Sequence, residues 1–486
     1  MTLNQYTGTT AFVLYASILL AVGIWSRLHH KPSEQANFLL ANRNLNFWIG
    51  AISANASDMS AWLFVGLPYV MYTQGGLELW TALGLLLFMF LSWHMVAPRL
   101  RQQTAKLGVN TLSSYFEARL NDSSGALRVV GTIMTLFFLT PYVAAGLMAV
   151  GRYCETLLYI PYHIGCIVGT ILVVTYTTIG GLAAVAWVDF FQGLFLLGVI
   201  VVVPILAYCN IPADQTLWAA AQAKGVSLML LSDTSSASII AAASLFFGWG
   251  MGYFGQPHIL DKFMALRDPD KISYSKWLSS TWQICALGSS AACGLVAIAF
   301  LQPPPANPEL LFVDMVQRLF NPMIAAWMLC AVLAATLSSM DSQVLVLASA
   351  IAHDLAPRIY KRAALSSKQM LWISRAAIVV ISFIALAIAW NEHQFIFDLI
   401  GFCWMGLGCS FGPVVLLCLH SRWLTQWGAL AALCTGGLIG ATWDLFNTPL
   451  SAPLPGFAAA LIVAYCVSQL QRRWQSISSF LGNRRG

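Results

Sequence analysis

Six stretches of this chain, residues 79–98, 129–151, 190–213, 234–260, 399–421 and 445–471, contain no Asp, Glu, Lys or Arg. Each reaches the roughly 20 residues that a helix needs to cross about 30 Å of hydrocarbon. A water-soluble globule cannot be built around so many such runs. Only 9% of the 486 residues are charged, against about 25% in ordinary soluble domains. The outer surface of the folded chain must therefore face lipid.

Thirteen spans are expected, near 6–26, 47–73, 76–98, 127–149, 161–178, 185–208, 237–256, 279–301, 322–352, 371–390, 395–420, 427–446 and 453–470. With the N-terminus outside, the basic residues sort by loop. Arg27, Lys31, Arg43, Arg99, Arg101, Lys106, Arg119, Arg128, Lys262, Arg267, Lys271, Lys276, Arg358, Lys361, Arg362, Lys368, Arg422, Arg472, Arg473, Arg484 and Arg485 fall inside, and Arg152, Lys224 and Arg318 outside. This bias of 21 to 3 follows the positive-inside rule and predicts a cytoplasmic C-terminus. The net charge of +6 then reports topology, with no nucleic-acid partner. The first span is too long to read as a cleaved signal peptide. The eleven cysteines lie mostly within spans, without metal-type spacing, and read as small apolar fillers.

An ionisable group inside a span is costly and marks function by default. Asp58, Asp189, Asp341, Asp398 and Asp444 sit at such places. The last two lie near span ends within reach of water; the first three need partners. The second span reads Gly50-Ala-Ile-Ser-Ala-Asn-Ala-Ser-Asp-Met-Ser-Ala61. It is small and polar, and backbone at membrane depth can unwind where it lines a protein cavity. The seventh reads Gly248-Trp-Gly-Met-Gly-Tyr-Phe-Gly-Gln-Pro257, which suits a second break and equally suits close helix packing. Leaving out the first span, these become positions one and six of a ten-helix core. Broken helices at corresponding positions of two halves predict an inverted-repeat secondary transporter. In the ninth span, Ala335, Ser338, Ser339 and Ser342 share one helix face. Freed carbonyls and these hydroxyls would suit a hard alkali cation, although serines in membranes also bond back to their own helix.

Ala56-Ser-Asp-Met-Ser-Ala-Trp62, Gly252-Tyr-Phe-Gly-Gln-Pro-His258 and the Ala334-Ala335 and Ser338-Ser339 pairs together resemble the sodium/solute symporter family, most closely its sodium/proline branch. The resemblance runs from about residue 36 to 390 and more loosely beyond. It implies an all-α polytopic fold of the leucine-transporter type, a 5+5 inverted-repeat core with an extra N-terminal helix. Residues 1–46 would hold that helix and an inside loop, 47–208 the first repeat, 237–420 the second, and 421–486 additional helices. It implies Na⁺ held by carbonyls of Ala56, Met59 and Ala335 and hydroxyls of Ser338 and Ser339, with Asp58 and Ser60 adjacent. It implies substrate contacts at Ser57, Trp62, Tyr142, Trp249, Tyr253 and Pro257, and an inner-gate role for Arg43. An aromatic box suits a small ring such as pyrrolidine, its phenol hydroxyls bonding polar groups, and broken-helix N-termini suit a carboxylate without a buried basic residue.

Three positions depart from the branch. Ala61 stands where Gly is usual, Asn55 at a usually smaller position, and Asp341 in place of a neutral residue. Asp341 with Asp189 and Ser342 could form a second cation site; a water-filled cavity or a shared proton fits the same residues. The expected activity is Na⁺-coupled uptake of a small amino acid, L-proline foremost, across an inner membrane, with no cofactor beyond Na⁺ as coupling ion. Pantothenate, another carboxylate, a sugar, or H⁺ coupling are the alternatives. A channel would need a continuous polar pore, and no metalloenzyme or nucleophile motif points to an enzyme. His258 and His353 read as loop residues at span ends.

Overall fold

A computed structural model describes residues 3–30, 38, 40–213, 215–231, 233–359, 365–391 and 396–482. Of the basic residues expected inside, Lys31, Lys361, Arg362, Arg484 and Arg485 lie outside the described residues. The fold is helical, with no strand among the described residues beyond one parallel bridge between Leu45 and Leu266. The helices run α1 Leu3–His30, α2 Phe47–Met59, α3 Gly66–Gln74, α4 Leu79–Leu91, α5 Ala97–Leu107, α6 Leu112–Leu120, α7 Ala126–Leu158, α8 Tyr162–Cys209, α9 Leu217–Lys224 and α10 Ser236–Gly250. They continue as α11 Pro257–Ala265, α12 Ile272–Phe300, α13 Leu311–Leu319, α14 Pro322–Ser349, α15 Ala356–Ile359, α16 Ser367–Ala389, α17 Ile396–His420, α18 Gln426–Thr442 and α19 Pro453–Gly482.

Among the described residues, eleven helical stretches are long and apolar enough to cross a membrane. The expected thirteen ranges differ from these at two places. Residues 61–107 and 162–209 form stretches of 47 and 48 residues, where about 20 suffice. The second is interrupted at Gly181, whose φ of +60° and ψ of −157° are not helical. A side chain there would also strike the Phe38 carbonyl, which lies 2.4 Å from the position a Cβ would take. The molecule's outer face carries exposed apolar side chains such as Ile18, Phe137, Ile171, Phe191, Val380 and Ile462, as a lipid-facing surface requires.

Both suspect spans are broken. α2 ends where Ser60 turns to φ +44°, ψ −169°; a short 3₁₀ turn, Ala61–Leu63, follows, and helix resumes at Gly66. A positive φ strains a non-glycine residue. The Ser60 hydroxyl supports the turn by accepting the Trp62 N–H at 3.2 Å. Asn55 fastens α2 to α12 by a reciprocal pair of bonds with Ser279, at 3.0 and 2.8 Å. The other break follows α10: a 3₁₀ turn Met251–Gly255, an extended Gln256, and Pro257 at the first position of α11, where its missing N–H costs nothing.

Several loop assignments change. Lys262, counted among inside-loop charges, is buried within α11 with 1% of its surface exposed. Arg101 is buried as well, donating to the carbonyls of Leu266 and Arg267. His258 is fully buried beside Tyr142, not in a loop, and His353 sits half-buried in a π-helical turn. For Lys262 and His258 the reason is the break itself: after it the chain continues as a helix, Pro257–Ala265, whose every residue is buried. Asp398 and Asp444 are exposed at span ends, as expected.

Candidate functional site

The break in α2 frees backbone groups, and α14 meets them. In an unbroken helix the Ser60 N–H would bond the Ala56 carbonyl. Here it donates to the Ser339 hydroxyl at 3.0 Å. The Ala56 carbonyl instead accepts from the Ser338 hydroxyl at 2.9 Å. Ser338 and Ser339 also lie 3.0 and 3.2 Å from the Ala335 carbonyl. The Leu63 N–H, which would have bonded the Met59 carbonyl, goes to the Ser60 carbonyl at 3.4 Å. The five oxygens expected to hold Na⁺ thus lie on two facing segments, four of them linked directly. The cluster is neutral, buried and rich in acceptors, which fits a hard, weakly held cation.

Asp58 lies beside this cluster, 6% exposed. Its carboxylate accepts from the Tyr253 hydroxyl, which in turn accepts from the Gln283 amide at 2.6 Å. The sequence placed Tyr253 at the substrate; the structure also makes it the partner of Asp58. Gln283, on α12, was missed, because a single amide in a long span gives no pattern to read.

A small pocket opens between the two broken helices. Asp58, Met59 and Trp62 line it from the first break, Trp249 and Tyr253 from the second, with Tyr142 from α7. Trp404 of α17 completes the box and was not foreseen, since aromatic residues are common in membrane helices. Its ring stands edge-on to Tyr253 with centroids 5.2 Å apart, and its indole N–H donates to the Trp249 carbonyl at 2.8 Å. Gly252 permits this approach: a Cβ there would come within 2.1 Å of the Trp404 indole nitrogen. The Trp62 indole nitrogen is buried without a hydrogen-bond partner.

Trp62 and Ile400 also line a larger vestibule reaching Arg152 and Glu309, which pair at 3.4 Å. Ala61 faces this vestibule and does not line the aromatic pocket. Pro257 opens α11 and Ser57 points elsewhere; neither lines the pocket. At the opposite end, Arg43 donates to the Met264 carbonyl at 3.0 Å and to the hydroxyl and carbonyl of Thr104 at 3.1 and 3.2 Å. This clasp ties the loop before α2 to the ends of α5 and α11.

Asp189, Asp341 and Ser342 do come together. One Asp189 oxygen accepts from Ser53 at 2.8 Å and Ser57 at 3.0 Å, with Ser342 at 3.4 Å. Ser342 also bonds Asp341 at 3.2 Å, and the Tyr176 hydroxyl donates to the other Asp341 oxygen at 2.9 Å. The sequence had not supplied the strongest partner: the Lys262 ammonium, 2.9 Å from the same Asp189 oxygen. Asp189 lies inside an apolar span and required a partner, which was the one signal pointing to it.

The sodium:solute symporter family matches residues 38–436. A sodium/proline symporter of Staphylococcus aureus (strain JH9) is 34% identical over 478 aligned residues, covering 95% of this chain and 92% of that protein. A Na⁺-coupled sialic acid symporter, solved in a substrate-bound outward-open state, superposes with a TM-score of 0.79 at 17% identity over 96% of this chain and 98% of that one. MhsT in complex with L-phenylalanine superposes with a TM-score of 0.55 at 15% identity over 86% and 98% of the two chains. These likenesses assign the leucine-transporter type of fold. With its matched length and its two broken helices facing a seam of serines, the chain belongs to the sodium:solute symporter family.

Proposed function

We propose that this chain couples Na⁺ entry to uptake of a small amino acid, L-proline foremost. The observation that carries the reading is the meeting of α2 and α14, where Ser338 caps the freed Ala56 carbonyl at 2.9 Å, directly beside the aromatic pocket. A Na⁺ ion entering there would take the carbonyls of Ala56, Met59 and Ala335 and the hydroxyls of Ser338 and Ser339 as ligands. It would replace the one hydroxyl-to-carbonyl bond that now joins the two helices, Ser338 to Ala56, and those that Ser338 and Ser339 make to Ala335 within α14, so binding and release exchange one set of contacts for another. Asp58 adds negative charge near the ion without being needed as a direct ligand. Relatives named sodium/proline symporter, 34% identical, support proline as the solute.

In the pocket, Trp62, Trp249, Tyr253 and Trp404 would enclose a pyrrolidine ring. The unpaired Trp62 indole N–H offers a neutral donor to its carboxylate, so no buried basic residue is required. Ion and substrate sites share the segment 56–62. Substrate binding there should tighten Na⁺ by the same factor as Na⁺ tightens substrate. The membrane potential adds about 2.3 kcal/mol per charge for each ~100 mV. Inward passage would open the Arg43 clasp, with the Arg152 and Glu309 vestibule facing outside and both halves of the core, 47–208 and 237–420, rocking about the site.

Uptake of radiolabelled L-proline into proteoliposomes tests this. Uptake should require an inward Na⁺ gradient and vanish in choline buffer at the same diffusion potential. Equal uptake in both buffers would end the Na⁺ claim. Thermal stabilisation by a different solute, with none by proline, would end the proline claim.

A further inference from the structure

Lys262 has no place in the reading above, yet it is the basic residue drawn furthest into the site. Its side chain is 1% exposed, and its ammonium lies 2.9 Å from a fully buried Asp189 oxygen. Around that oxygen stand the hydroxyls of Ser53, Ser57 and Ser342. This is the oxygen-lined, negatively charged setting that would otherwise recruit a free cation. Ser57 and Ser342 touch at 2.9 Å, and their backbones belong to α2 and α14, the same two helices that form the Na⁺ cluster. The ammonium therefore sits where an ion would bridge α2 and α14 a second time.

We propose that Lys262 is a tethered cation: it occupies the Asp189 position in place of a second ion and so fixes the coupling at one Na⁺ per transport cycle. The inference rests on the Na⁺ reading of the neighbouring cluster. Charge and geometry carry it together. Lys262 is on α11, which begins at the second break, so its ammonium links that broken helix to Asp189 on α8 and, through the hydroxyls, to α2. A free Na⁺ would satisfy Asp189 but would not join α11 to α8 through that oxygen. Asp341 does not demand an ion of its own here, because Tyr176 at 2.9 Å and Ser342 at 3.2 Å both serve it.

Equilibrium binding of ²²Na⁺ to the purified full-length protein, read without any substrate, tests the proposal. The wild type should bind one Na⁺ per chain. Lys262→Met should bind two, with a Hill coefficient above one, and Lys262→Met combined with Asp189→Asn should return to one. Asp341→Asn in the wild-type background should leave the count at one. Two ions bound by the wild type, one of them lost in Asp341→Asn, would overturn the proposal even if Lys262→Met proves too unstable to purify. A monodisperse Lys262→Met protein that still binds one ion would overturn it as well. A wild type that binds none removes the Na⁺ reading of the Ala56 and Ser338 cluster, and this inference with it; two ions remove only this inference.

Discussion

Asp58 on α2 and Asp189 on α8 are both buried carboxylates, and their surroundings differ in one respect. Asp58 faces neutral donors: the Tyr253 hydroxyl, itself bonded by Gln283. Asp189 faces an ammonium at 2.9 Å as well as serine hydroxyls. Burying an ion costs several kcal/mol even after relaxation, and only a well-placed opposite charge with supporting hydrogen bonds offsets it. Asp189 carries its counter-charge in the fold. Asp58 has none of its own, so a cation from solution gains more by binding beside it. On the proposed reading, the comparison separates an acid that holds the structure together from an acid that makes it respond to Na⁺.

The largest effect that could break this comparison concerns stability. Asp189→Asn strands the Lys262 ammonium in the interior, and removing one partner of a buried pair costs about 3–5 kcal/mol. The melting temperature in detergent should fall sharply, and adding Lys262→Met should recover most of the loss. Asp58→Asn should leave melting nearly unchanged, because its amide oxygen can still accept from Tyr253. If the two single variants melt alike, the distinction fails.

The next effect reverses the ranking. A unit charge within ~8 Å of a cation contributes about 2 kcal/mol at an effective dielectric near 20, roughly 30-fold in affinity. Asp58→Asn should therefore raise the Na⁺ concentration for half-maximal uptake by about that factor, while the exposed Asp398→Asn shifts it less than about twofold. Equal shifts in the two variants would remove Asp58 from the ion site.

The two acids also show what the sequence could disclose. Asp58 was legible because it combines two signals, a charge in an apolar span and a run of small residues that weakens the helix around it. Ser338 and Ser339 were legible because three- and four-residue spacing puts them on one helix face. Asp189 was legible as a charge, but its partner was not. Lys262 stands five residues beyond Pro257, in a segment that also holds Asp261, Arg267 and Asp268, and by charge density alone that segment reads as a loop. Its burial depends on the helix that starts at Pro257 packing against α2 and α5, a three-dimensional fact. Trp404 was hidden for another reason. Nothing local distinguishes an indole that lines a pocket from one that packs, and only the space left by Gly252, in the turn of the second break, decides it. Ser57, expected at the substrate, belongs to Asp189 because Ser53 and Ser57 lie one turn apart on the face of α2 that meets α8.

The smallest effects are also the most discriminating, because they compare two chemically identical groups. Ser53 and Ser338 are both buried serines whose hydroxyls donate to an oxygen, Ser53 to Asp189 at 2.8 Å and Ser338 to the Ala56 carbonyl at 2.9 Å. A hydrogen bond to a charged group contributes about 1.5–3 kcal/mol and one between neutral groups about 0.5–1.5 kcal/mol. Ser53→Ala should therefore cost the protein more stability than Ser338→Ala. For Na⁺ the order inverts. Asp189 keeps Lys262 and Ser57 when Ser53 is truncated, so the Na⁺ concentration for half-maximal uptake should move less than about twofold. If Ser338 is a ligand as proposed, Ser338→Ala removes it from the cage, and the loss of one good oxygen contact, ~1.4 kcal/mol, is about tenfold in affinity. Melting curves and Na⁺ titrations of the two alanine variants thus form a crossed pair. If both measurements rank the variants the same way, the two acids do not divide structure from coupling as their surroundings indicate.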